Sequence, residues 1–108
     1  DFSAEISQVC KKHAVTFLNV NEIDNYRDIV ELARLMLSCD EIFTISNTTA
    51  HLAGALGVKT NLLLPYNHQS NTWYWFSDTK NQSLWYPSVK VIEANRNQDL
   101  SKVLEKIR

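Results

Sequence analysis

A run of hydroxyl, amide and imidazole side chains separates two apolar stretches. Ser46, Asn47, Thr48 and Thr49, then Ala50 and His51, lie between "EIFTI" and "LAGALGVKTNLLLPY". The run contains no carboxylate, no lysine and no preceding glycine, so it is not a P-loop. Its chemistry suits holding negative charge. If it opens a helix, the first-turn N–H groups lack intrahelical acceptors and the positive end of the helix dipole points the same way, which favours a phosphate or carboxylate. Thr48 and Thr49 add hydroxyl donors. Ser46 and Asn47 can cap the helix or bond a ligand, and His51, three residues beyond Thr48, can share its face. A capped helix with a satisfied histidine and no ligand uses the same residues equally well. Hydrolysis fits poorly, because Ser46 and His51 come without a G-x-S-x-G elbow and a nucleophile needs its base within hydrogen-bond reach.

Such a run needs a strand behind it and a helix after it, and the flanking pattern supplies both. Residues 41–46 read as a short strand, and 48–57, "TTAHLAGALG", as a small helix stopped by Gly57. Ala50, Ala53, Gly54 and Ala55 would let that helix approach a sheet closely. Residues 59–66, "KTNLLLPY", form a near-continuous apolar strand of the kind covered on both faces. Before them, 3–13 predict a helix, 14–20, "AVTFLNV", a strand, and 26–40 a helix whose stripe is Ile29, Leu32, Ala33, Met36 and Leu37, with Asp24 or Asn25 as the cap. After them, 89–94 predict a strand and 97–108 a helix with Leu100, Val103, Leu104 and Ile107 on one face. Strands alternating with helices predict an α/β fold, a Rossmann-like three-layer arrangement around a parallel sheet. Ligands of such sheets bind at the carboxyl ends of strands, which is where Ser46–His51 fall, and where Tyr66, Asn67 and His68 form a second group of pocket candidates.

Residues 67–87 make a long connection with Trp73, Trp75, Trp85 and Tyr86, which could line a base or sugar pocket or anchor the segment by buried area, Trp85-Tyr86-Pro87 being the expected anchor. The 108 residues fit one domain or part of one. A formal net charge of −1 provides no basic footprint for nucleic acid or a membrane surface. No apolar run approaches the ~20 residues that span a bilayer. The opening "DFSAEISQVCKKH" is no signal peptide and reads as a cut into a longer sequence. Cys10 and Cys39 have no metal or redox spacing and read as reduced thiols of a cytoplasmic protein. Asp24, Asp28, Glu31, Asp40 and Glu41 do not group with histidines, so no metal is expected.

"SNTTAHLAGALGVKTNLLLPY", then "WYWF", then "SLWYPSVKVI", resembles the carboxyl-terminal part of family 9 glycosyltransferases, the heptosyltransferase-like enzymes, in particular the branch often fused to tetratricopeptide repeats. The resemblance runs from about Asn25 to the end. It implies a GT-B architecture of two facing Rossmann-like domains, of which residues 1–108 would be part of the second, lacking its first strand and the whole amino-terminal domain. It implies a nucleotide-sugar substrate whose diphosphate faces Asn47, Thr48 and Thr49, with His51 close behind, and no bound metal or other cofactor. Ser46 stands where the family very often has Asp, an uncharged group in place of a carboxylate that would bind donor sugar hydroxyls. The general base would belong to the missing domain, so no catalytic residue is expected in this chain. A non-catalytic binding or interaction module of the same fold is the alternative. A flavodoxin-like receiver is weaker still, since Ser46 and Asn47 provide none of the acidic residues a receiver would cluster at its strand ends.

Overall fold

The computed structural model describes residues 2–67, 72–97, 100–105 and 107. The elements run α1 (Ser3–His13), α2 (Ile29–Leu37), β1 (Ile42–Ile45), α3 (Thr48–Ala55), β2 (Thr60–Leu64), β3 (Val89–Glu93) and α4 (Leu100–Glu105). The three strands form one parallel sheet in the order β1-β2-β3. Ile42 pairs with Thr60 and Thr60 with Val89, so the three strands start level, and β2 and β3 run one residue beyond the end of β1. The fold is α/β, as the alternation of strand and helix predicts.

Side chains alternate across the sheet because successive Cβ atoms point to opposite faces. Thr60, Leu62, Leu64, Val89 and Val91 share one face and are all buried. Leu62, Leu64, Val89 and Val91 form the main core with Ala50 of α3 and Trp75. Leu32 and Met36 of α2 pack with Ala53 of α3, flanked by Ile23, Ile42, Leu52 and Leu56. On the opposite face Ile92 is buried, whereas Phe43 and Ile45 at the β1 edge stay more than half exposed.

Two expectations fail. Residues 14–20 form no strand: they carry no ladder, and Val15, Phe17, Leu18 and Val20 are exposed. The cause is local. Ala14 takes a left-handed conformation at φ 51°, and the chain turns so that Val15, Thr16 and Phe17 line a cavity with Phe2, Ile6 and Val9 of the α1 region instead of reaching the sheet. The second helix starts three to four residues later than predicted from its cap. Asp28 is the N-cap, accepting from Glu31 N, while Asp24 forms its own turn by accepting from Tyr26 N and Arg27 N.

Glu41 fixes the amino ends of β1 and β2. It accepts from Asn61 Nδ2 at 2.7 Å and pairs with Lys59 Nζ at 2.8 Å. The Lys59 bond, and then the Asn61 bond, hold its carboxyl below the ordinary glutamate value. A carboxylate depressed in the folded state contributes stability above its unfolded pKa and loses it as pH falls through the folded value. Glu41→Gln is therefore expected to flatten the acid side of the stability–pH curve slightly, because Lys59 is largely exposed and screened. Urea midpoints measured across the acid range check this, and an unchanged slope would contradict it.

Candidate functional site

The turn between β1 and α3 is built around Asn47. Its backbone is extended, and its Oδ1 accepts from Ala50 N at 3.1 Å and from Thr44 Oγ1 at 3.3 Å. Asn47 is thus the N-cap, satisfying one of the helix's unpaired donors. Thr48 and Thr49 follow in the first turn, where backbone N–H groups have no intrahelical acceptor. Thr48 is exposed and Thr49 half-buried. At the other end Gly57, at φ 73°, closes α3 with the bonds Gly57 N to Gly54 O and Val58 N to Ala53 O. This two-bond cap needs a left-handed residue at that position, and glycine adopts it without strain.

A cavity of about 560 Å³ lies at the carboxyl ends of all three strands; Ser46 lines it, but Asn47, Thr48, Thr49 and His51 do not. Ile45 and Ser46 rim it from β1, Leu63, Leu64, Pro65 and Tyr66 from β2, and Ala94, Asn95 and Asn97 from the end of β3. Its size is that of a small-molecule site. Asn67 sits next to this rim in a left-handed conformation, with its N–H donating to Glu93 Oε1 at 3.0 Å, a bond that ties the ends of β2 and β3. His68 lies outside the described residues. Asn95 and Asn97 are rim residues that the sequence reading missed. The signal was there, since "EANRN" is a polar, asparagine-rich exit from a strand, at the same end of the sheet as the β1 exit.

Ser46, although it rims the cavity, and His51 are both engaged by aromatic side chains. Ser46 Oγ accepts from Trp75 Nε1 at 2.9 Å and shares a hydrogen bond with Tyr74 Oη at 3.3 Å. His51 stacks on Trp75 with centroids 4.5 Å apart, and its Nδ1 shares a hydrogen bond with Tyr86 Oη at 3.1 Å. The polar run therefore splits. Asn47, Thr48 and Thr49 face the helix start, and Ser46 and His51 seize the aromatic segment. Trp75, 2% exposed, is the anchor of that segment, and Trp85, 62% exposed, is not, against expectation. Tyr86 packs flat against Gly54, where an added Cβ would come within 2.4 Å of the tyrosine Cγ. His51 and Gly54, one turn apart on α3, thus grip opposite parts of one tyrosine.

Among the described residues no group of three or more His, Cys, Asp or Glu could hold a metal. Among them too, no helix is long and apolar enough to cross a membrane. No family model matches the chain, and neither a curated protein nor a solved structure matches it.

Proposed function

We propose that this chain is the nucleotide-sugar-binding portion of a GT-B glycosyltransferase resembling family 9, with the diphosphate of the donor held at the start of α3. One observation carries the reading: a helix capped by Asn47 begins at the carboxyl end of β1, directly after Ser46, which lines a cavity shared by the ends of all three strands. In parallel α/β sheets that is where ligands bind. Departure of a nucleoside diphosphate builds charge on phosphate oxygens, and first-turn N–H groups with the Thr48 and Thr49 hydroxyls stabilise that charge without a metal. Transfer itself requires a base for the acceptor hydroxyl, supplied in this reading by a facing domain. Exposed Phe43 and Ile45 on the β1 edge, and Phe17 and Leu18 before it, are apolar surface such a domain could cover.

A second reading, a binding module that keeps the fold without transfer, is favoured by Ser46. Its hydroxyl is engaged by Trp75 and Tyr74, and it carries no charge to hold donor hydroxyls.

The double variant Thr48→Val, Thr49→Val tests the diphosphate assignment. Both residues lie outside the buried core, so the fold is expected to survive. Loss of two hydroxyl donors to a charged group is expected to weaken nucleoside diphosphate binding by about a hundredfold or more, at roughly 1.5–3 kcal/mol per charge-assisted bond. Unchanged affinity by calorimetry, in a variant with unchanged circular dichroism, would remove α3 from the site.

A further inference from the structure

A smaller cavity, of about 150 Å³, is shared by the irregular connection and β3. Trp73, Phe76, Ser77 and Asn81 line it from the connection, and Val91 and Glu93 from the strand. Its volume is that of roughly five waters at about 30 Å³ each, so it suits a head group and not a sugar nucleotide. The walls are tied down by their own bonds. Trp73, although 61% exposed, meets Phe76 edge-on with centroids 6.2 Å apart and Tyr74 at 5.9 Å. Asp78 Oδ1 accepts from Lys80 N and Gln82 N, each at 2.8 Å, which fixes the turn carrying Asn81. Asn81 O accepts from Val91 N at 2.7 Å and joins that turn to β3. The left-handed φ of 61° at this position is one that asparagine tolerates. Glu93 Oε1 accepts from Asn67 N, a bond that orients the carboxylate without removing its charge. Walls fixed in this way lower the ordering cost of binding.

A carboxylate and exposed aromatic rings in one cavity attract the same kind of group, a cation. No lysine or arginine is among the described residues that line it, so no resident cation competes. A metal ion is disfavoured, because a single carboxylate is too few hard ligands and no group of three or more metal-binding side chains occurs among the described residues. Ser77 Oγ, the Asn81 amide oxygen and Glu93 are all acceptors, which calls for a cation that carries N–H donors. We propose that this cavity binds the protonated amino end of a primary alkylamine, with its N–H groups on Glu93, Asn81 and Ser77 and its alkyl stem against Trp73 and Phe76. Such a site is independent of the diphosphate reading, because Glu93 repels phosphate.

The test titrates the chain at low salt with n-butylammonium and with Nα-acetyl-lysine methylamide, following the Trp73 indole N–H and the Ser77 and Asn81 backbone amides. Expected is a saturable shift at all three with at least one amine, while the Trp85 indole stays in place. Tighter binding of n-butylammonium would identify a free amine as the ligand, and tighter binding of the lysine derivative a protein side chain. Glu93→Gln keeps an oxygen to accept from Asn67 N and loses only the charge, and Trp73→Ala removes an exposed ring. Each is expected to weaken binding by about two- to fivefold, read from the Ser77 and Asn81 amides. The proposal is overturned by the absence of a saturable shift with both amines, by n-butanol or tetramethylammonium binding as tightly as n-butylammonium, or by unchanged affinity in either variant.

Discussion

Trp75→Ala is expected to bring the chain to the edge of unfolding at room temperature. Trp75 is 2% exposed and packs with Ala50, Leu62, Leu64, Val89 and Val91. It joins the β2–β3 connection to both the sheet and α3, and its Nε1 bonds the turn that begins the site. Truncating a buried tryptophan costs about 3–5 kcal/mol. A small domain has about 5–15 kcal/mol in total, and one of this size sits toward the low end. The loss also leaves Ser46 without its donor and His51 without its stacking partner, so damage spreads from core to site. Urea denaturation followed by far-ultraviolet circular dichroism measures the change. Trp73→Ala is the comparison: Trp73 is 61% exposed, and its loss should shift stability by about 0.5 kcal/mol or less. Equal midpoints for the two variants would show that the connection is anchored elsewhere.

Gly54→Ala is expected to destabilise the protein although alanine is the better helix former. Helix propensity alone would favour the change by about 1 kcal/mol. The added methyl, however, would lie 2.4 Å from Tyr86 Cγ and 2.8 Å from both Cδ atoms, near the stem of the side chain where rotation gives little relief. Overpacking of this kind costs about 1–3 kcal/mol, and expelling Tyr86 adds the loss of its bond to His51. The expected net result is a melting temperature lowered by several degrees, since about 1 kcal/mol corresponds to about 4–8 °C at this size. Tyr86→Ala combined with Gly54→Ala separates the causes. If the steric account is right, Gly54→Ala becomes stabilising once the ring is gone. A Gly54→Ala protein as stable as the parent would refute the close approach.

These two variants mark where the sequence could be read and where it could not. The helix start at Asn47 and its stop at Gly57 were legible, because capping chemistry is local and carries its own residue types. So was the buried β2, from three consecutive leucines. The missing strand at 14–20 was not, because β propensity describes a surface to pack on and that segment meets α1. A left-handed alanine at position 14 has no signature in sequence. Which tryptophan of the irregular connection is buried was equally hidden, since neither helical nor strand periodicity applies there. Gly54 shows the same limit: a small residue suggests close packing, but only the fold reveals that the neighbour is Tyr86 and not the sheet.

Ser46 carries the sharpest revision. A carboxylate would have suggested a sugar-hydroxyl acceptor, whereas the hydroxyl found there ties down Trp75 and Tyr74. The binding role we propose therefore falls on Asn47, Thr48 and Thr49. Backbone amide shifts during titration with UDP, GDP, ADP and inorganic pyrophosphate read that role directly. A diphosphate held at the start of α3 predicts saturable shifts, largest at the Thr48 and Thr49 amides, with pyrophosphate and at least one nucleotide. No shift at those amides at millimolar concentrations of all four compounds would contradict it.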